Sequence, residues 1–128
     1  MNLKQFIPAK NALERLVTVR EMPAAVSLRL ARYWRTLGPE LAAYEQERVN
    51  LVYALGEKDA RGDTRVTPAN EAAFNEQIEA MQAQEIELKM KPFDMIDFQN
   101  AELTAAEILA LDGAGLLTVD WDKMEDEE

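Results

Sequence analysis

Between residues 24 and 56, Val26, Leu30, Tyr33 or Trp34, Leu37, Leu41, Tyr44, Leu51 or Val52 and Leu55 fall at steps of three, four or their multiples, with polar residues between them. This is the period of an amphipathic α-helix. Unbroken, such a helix would reach roughly 50 Å at 1.5 Å per residue, longer than a compact domain of 128 residues is wide. Something must therefore pack along it. Gly38-Pro39 interrupts the stripe, and a proline ring crowds the preceding turn and donates no hydrogen bond. Because the stripe keeps its phase, the expectation is a kink at residues 35–39 rather than two abutting helices.

The segment from Pro68 to about Gln84 carries Ala72, Phe74, Ile78 and Met81 on one face, and Thr67-Pro68 supplies a cap residue followed by a proline suited to a first helical turn. Between the two helices lies GEKDARGDTRVT, polar and containing two glycines, the composition of a chain reversal. An antiparallel helical hairpin is expected. Its Arg61-Gly62-Asp63 tripeptide is read as a turn flanked by a short strand at 64–67. An integrin signal would need an exported scaffold, and a calcium loop would place Arg61 where an oxygen ligand belongs.

Before the long helix, Ala9, Ala12, Leu13, Leu16 and Val17 predict a short helix from Phe6 to Arg20, with Pro8 in its first turn. After the hairpin the period changes. Residues 85–91 alternate apolar and charged side chains, predicting a strand that Pro92 ends, and Leu117, Val119 and Trp121 alternate in the same way, so the two segments are expected to pair. Thr104-Ala105-Ala106-Glu107 is a capping box opening a helix that Asp112-Gly113 closes. The expected fold class is α+β, mainly α: a long, proline-kinked antiparallel helical hairpin with a short N-terminal helix and a small two- or three-stranded sheet. Residues 1–122 form its single domain, and the acidic residues 123–128 are expected to fray.

Composition narrows the chemistry. The chain has no cysteine and no histidine, which removes disulfides, thiolate sites and the commonest general base and zinc ligand. No glycine loop has phosphate-binding spacing. Glu76 with Glu79, and Asp94 with Asp97, are pairs that arise by chance in an acidic chain. A metal-carboxylate enzyme is therefore the least favoured class; neither a cofactor nor a metal is expected. Charge is divided: residues 1–56 carry eight Lys or Arg against five Asp or Glu (+3), and residues 57–128 carry six against nineteen (−13). The acidic half disfavours direct nucleic-acid binding. No apolar run is long enough for a bilayer, and MNLKQFIPAK lacks the apolar centre of a secretory signal, so neither membrane insertion nor export is expected.

Arg29, Arg32 and Arg35 follow one another at three-residue steps beside Tyr33 and Trp34, a grouping of guanidinium and aromatic side chains common at protein interfaces. They are the leading candidate interaction residues. The competing structural reading has the arginines bridging to glutamates while Tyr33 or Trp34 fills the core. Trp121, between Asp120 and Asp122, is the second candidate, an aromatic anchor for a basic groove or else a cover for the sheet.

Taken in order, NALERL at 11–16, MPAAVSLRLAR at 22–32, YEQERVNLV at 44–52, the glycine-containing loop and TAAEILALD at 104–112 resemble small proteins encoded by tailed phages and prophages. That family is generally without an assigned function. The resemblance implies a phage origin and location in the host cytoplasm or on the virion; it supplies no active site. The expected function is that of a non-enzymatic interaction protein in virion assembly or accessory work, with a phage structural or host protein as partner and with self-association through the hairpin. The alternative is an acidic nucleic-acid mimic that inhibits a host nucleic-acid-binding or defence protein.

Overall fold

A computed structural model of the chain describes residues 1–122. The expected acidic tail at 123–128 lies outside the described residues. The fold is α+β and mainly α, with one long helix and two small two-stranded sheets.

The chain opens with three short helical pieces in succession: α1 (Leu3–Phe6), a 3-10 turn (Ile7–Ala9) and α2 (Lys10–Leu16). The start is earlier than apolar spacing alone predicts, because Asn2 and Gln5 form a reciprocal capping box. Pro8 lies in the 3-10 turn, where its missing N–H and fixed φ are tolerated. Pro23 then precedes α3 (Ala24–Leu55), a single helix of 32 residues, about 48 Å long. Pro39 lies inside it, so the helix runs on as one element.

Gly56 follows α3 at a tight junction. A Cβ there would stand 2.4 Å from the Val52 carbonyl oxygen and 2.6 Å from that of Arg65, so only glycine lets the two backbones approach this closely. Strands β1 (Gly56–Lys58) and β2 (Thr64–Val66) pair antiparallel, Gly56 opposite Val66. The Arg61-Gly62-Asp63 tripeptide forms the turn between them. Gly62 has φ +84°, and the Asp59 carboxylate accepts from the backbone N–H groups of Arg61 and Asp63 while pairing with Arg65.

A 3-10 turn at Pro68–Asn70 leads into α4 (Glu71–Gln82). The Thr67 side chain makes no capping bond, contrary to expectation, and Asn70 sends its amide across to the Leu55 carbonyl. At the far end of α4, Gln82 donates to the Tyr44 hydroxyl. These two bonds, 70 to 55 and 82 to 44, set α4 antiparallel to the last third of α3.

The strand expected at 85–91 is absent. Burial does alternate, with Ile86 buried, Leu88 and Met90 half-buried and the charged residues exposed, so one face of an extended segment meets the core. What is missing is a neighbouring strand: the segment has an isolated bridge between Asn2 and Glu85 and one bond from the Ile86 N–H to the Met1 carbonyl. Pairing begins beyond Pro92, where β3 (Phe93–Asp94) lies parallel to β4 (Leu117–Thr118). The expected partner of 85–91 thus pairs with 93–94, and the strand at 64–66 belongs to a separate hairpin.

Helix α5 (Ala105–Gly113) carries the expected capping box between Thr104 and Glu107. It closes later than Asp112-Gly113 suggests: Gly113 is still helical, Ala114 is the cap and Gly115 takes the positive φ of +73°.

The core gathers Leu3, Phe6, Leu13 and Leu16 of the N-terminal helices, Leu30, Tyr33 and Leu37 of α3, Phe93 and Phe98, and Leu111, Leu116 and Leu117. It covers α3 only as far as Tyr44. Arg15 closes the far side: its guanidinium makes paired bonds of 2.6 and 2.8 Å to the Glu107 carboxylate and another to the Ala101 carbonyl. Among the described residues no helix is long and apolar enough to cross a membrane.

The Arg15 bond, joined by the Thr104 N–H, holds the Glu107 carboxyl below its ordinary value of 4.5 despite partial burial. A lowered folded pKa contributes stability that is complete above the unfolded value and disappears as pH falls below 4.5 through the folded one. Glu107→Gln is expected to lower stability at neutral pH, with the gap to the parent chain narrowing on acidification below 4.5; urea melts across that range measure it.

Candidate interaction surface

The five residues singled out on α3 do not act as one set. Arg29 and Tyr33 turn inward. The Arg29 guanidinium donates to the carbonyls of Lys91 (2.7 Å) and Pro92 (3.2 Å), lies 4.3 Å from the Phe93 ring centroid and stands 3.6 Å from the Asp97 carboxylate. The Tyr33 hydroxyl donates to the same Lys91 carbonyl, and its ring packs 5.1 Å from that of Phe93. Burial pushes the Tyr33 hydroxyl above its ordinary pKa, so it stays a donor at neutral pH.

These contacts give two of the residues an internal role. Tyr33 is 1% exposed and belongs to the core. Arg29 binds the chain's own backbone, not a returning glutamate. The pair clamps residues 91–93 onto α3 and explains why 85–91 has no neighbouring strand: the helix's side chains, not a strand, meet its final carbonyl. Asp97 is engaged as well, accepting from the Asp94 N–H and facing Arg29, so the Asp94–Asp97 spacing serves a local turn.

Arg32 and Arg35 are exposed, and neither side chain has an ionic partner among the described residues. Trp34 is half-buried beside Gly38, lining a 200 Å³ depression with Lys10, Glu14 and Leu41. Trp121 is 41% exposed, in a shallow depression lined by residues 118–122 alone. Among the described residues no group of three or more carboxylates is placed to hold a metal ion.

Another region has the character of a presented surface, and no single residue signals it because the signal is collective. Residues 45–85 contribute no buried side chain. They form an arm: the end of α3, the β1–β2 hairpin and α4. Leu51, Val52, Leu55, Phe74 and Ile78 reach only half-burial within it, and Val49 and Tyr53, one turn apart on α3, are exposed, Tyr53 by 67%. The sequence offered one hint, a return helix too short to cover the whole stripe.

Where the arm meets the body, α1, α3 and α4 enclose a groove of 360 Å³. Leu3, Tyr44, Leu51 and Met81 give it an apolar lining, and Glu40 and Glu47 stand at its edge. Those two carboxylates are seven residues apart, two turns along one face of α3, and both are exposed. Neither has an ionic partner among the described residues, whereas Glu45 beside them is paired with Arg48 at 3.0 Å. From Val66 to Leu88 there are five glutamates and no Lys or Arg.

Comparison with protein-family models, with curated proteins and with solved structures finds no match to this chain.

Two substitutions separate body from arm. Tyr33→Phe removes one bond to the Lys91 carbonyl and is expected to cost about 1 kcal/mol of global stability in chemical denaturation, because Arg29 still satisfies that oxygen. Gly56→Ala forces two backbones apart and is expected to cost about 1–3 kcal/mol locally. Hydrogen exchange should quicken across residues 51–71 and stay slow at the core positions Leu13, Leu30 and Leu111.

Proposed function

We propose that this chain is a non-enzymatic interaction protein whose working part is the arm at 45–85, held out from a stable body. One observation carries the reading: the arm keeps an apolar stripe yet buries none of it fully. Apolar side chains at helical spacing that stay half-covered within their own chain suit a surface completed by a partner. The body supplies a rigid base, since the Arg29–Tyr33 clamp and the Arg15–Glu107 pair fix the elements from which α3 projects. The phage resemblance gives the setting, virion assembly or an accessory role during infection, with the partner a phage structural or host protein in the host cytoplasm or on the virion.

A second reading is favoured by the uninterrupted acidity of residues 66–88. The arm would then imitate a phosphate array and occupy the nucleic-acid site of a host protein, an association dominated by charge and steeply weakened by salt.

Photo-crosslinking side chains at Tyr53 and Phe74 on the arm, and at Leu109 on the body, test the proposal. Leu109 is 61% exposed, close to the 67% of Tyr53, and serves as the control. In phage-infected or lysogenic cells the arm positions are expected to trap a discrete protein partner at least several-fold more efficiently than Leu109. Equal yields from all three sites would end the reading. A virion protein among the adducts supports assembly, and a host nuclease or polymerase supports mimicry.

A further inference from the structure

Resting on the arm as the working surface, we infer that the groove where it joins the body is a seat for a basic amphipathic helix of a protein partner. The inference combines shape with charge. Leu3, Tyr44, Leu51 and Met81 form the apolar part of a lining completed by Gln77 and Gln84, and the volume of 360 Å³ accepts side chains rather than a flat contact. The edge carries Glu40 and Glu47 on one face of α3, two turns apart, about 10 Å along the axis. A partner helix with Lys or Arg at positions i and i+7 and an apolar residue midway would match that spacing, placing each cation against a glutamate and the apolar residue over Leu51 and Met81.

Among the described residues no cation pairs with this edge. Arg48, the one cation of α3 beyond Arg35, is turned to Glu45, and α4 has no Lys or Arg. A second copy seating its own arm here would bring glutamates against glutamates, so like charge opposes arm-to-arm pairing at the groove. The preferred occupant is therefore a different chain, apolar on one face and basic at its margins.

The test uses the full chain and a synthetic Leu/Lys amphipathic peptide of about four helical turns, with a Ser/Lys peptide of equal charge as control. Methyl NMR is expected to report saturable shifts at Leu3, Leu51 and Met81 with the Leu/Lys peptide and not with the Ser/Lys peptide. Glu40→Gln with Glu47→Gln is expected to weaken binding about tenfold, the combined effect of two exposed ion pairs. Glu57→Gln with Glu71→Gln, an equal change of charge elsewhere on the arm, is expected to alter it less than about twofold.

Equal weakening by both pairs, or equal binding of the Ser/Lys peptide, would reduce the groove to bulk charge and overturn the inference. So would a concentration-dependent dimer in sedimentation that shifts the same methyls without peptide, because a second copy would then be the occupant. Crosslinks from Tyr53 and Phe74 that persist when the groove fails these tests would leave the arm reading standing and remove this one alone.

Discussion

The structure depends on how the first half of α3 is held. A helix of 32 residues cannot be stabilised by propensity alone; its apolar face needs a tertiary cover. The cover comes from both ends of the sequence: the N-terminal helices pack Leu13 and Leu16 there, and the segment after the arm returns with Phe93 and Phe98. The Arg29–Tyr33 clamp turns that return into a fixed contact, because two side chains of the helix satisfy the carbonyls of an extended segment that has no neighbouring strand. Without this closure the hydrophobic face between Val26 and Tyr44 would be open to water on one side.

Much of this was legible in the chain because helical periodicity is local. The limits of α3, the turn at Arg61-Gly62-Asp63 and the capping box at Thr104 all follow from residues that interact within a few positions of one another. The errors arise where a distant partner decides. Residues 85–91 have the alternation of a strand and its one-sided burial, but a strand also needs a neighbour, and alternation carries no information about what lies alongside. The Asn2–Gln5 box is equally local, but it is a polar pair and leaves no mark in the apolar spacing.

The candidate residues divide for the same reason. Three-residue spacing spreads arginines around a helix, and only the neighbouring segments determine which of them face inward. Arg29 meets a backbone, while Arg32 and Arg35 meet solvent. Tyr33 and Trp34 are adjacent in sequence and part company likewise, one in the core and one at its edge. The arm was harder to foresee, since each of its segments looks able to bury a face; that the faces remain half-covered is a property of the assembled helices.

The separation of arm from core bears on how such a chain can change over generations. Substitutions at exposed positions usually shift stability by less than about 0.5 kcal/mol, whereas those that leave cavities in a core cost several times more. With no side chain of residues 45–85 fully buried, most of the arm's outward positions can vary while the body keeps its fold. Recognition and foldability are thereby assigned to different stretches of one short sequence, and a lineage pressed to follow a changing target has room to do so.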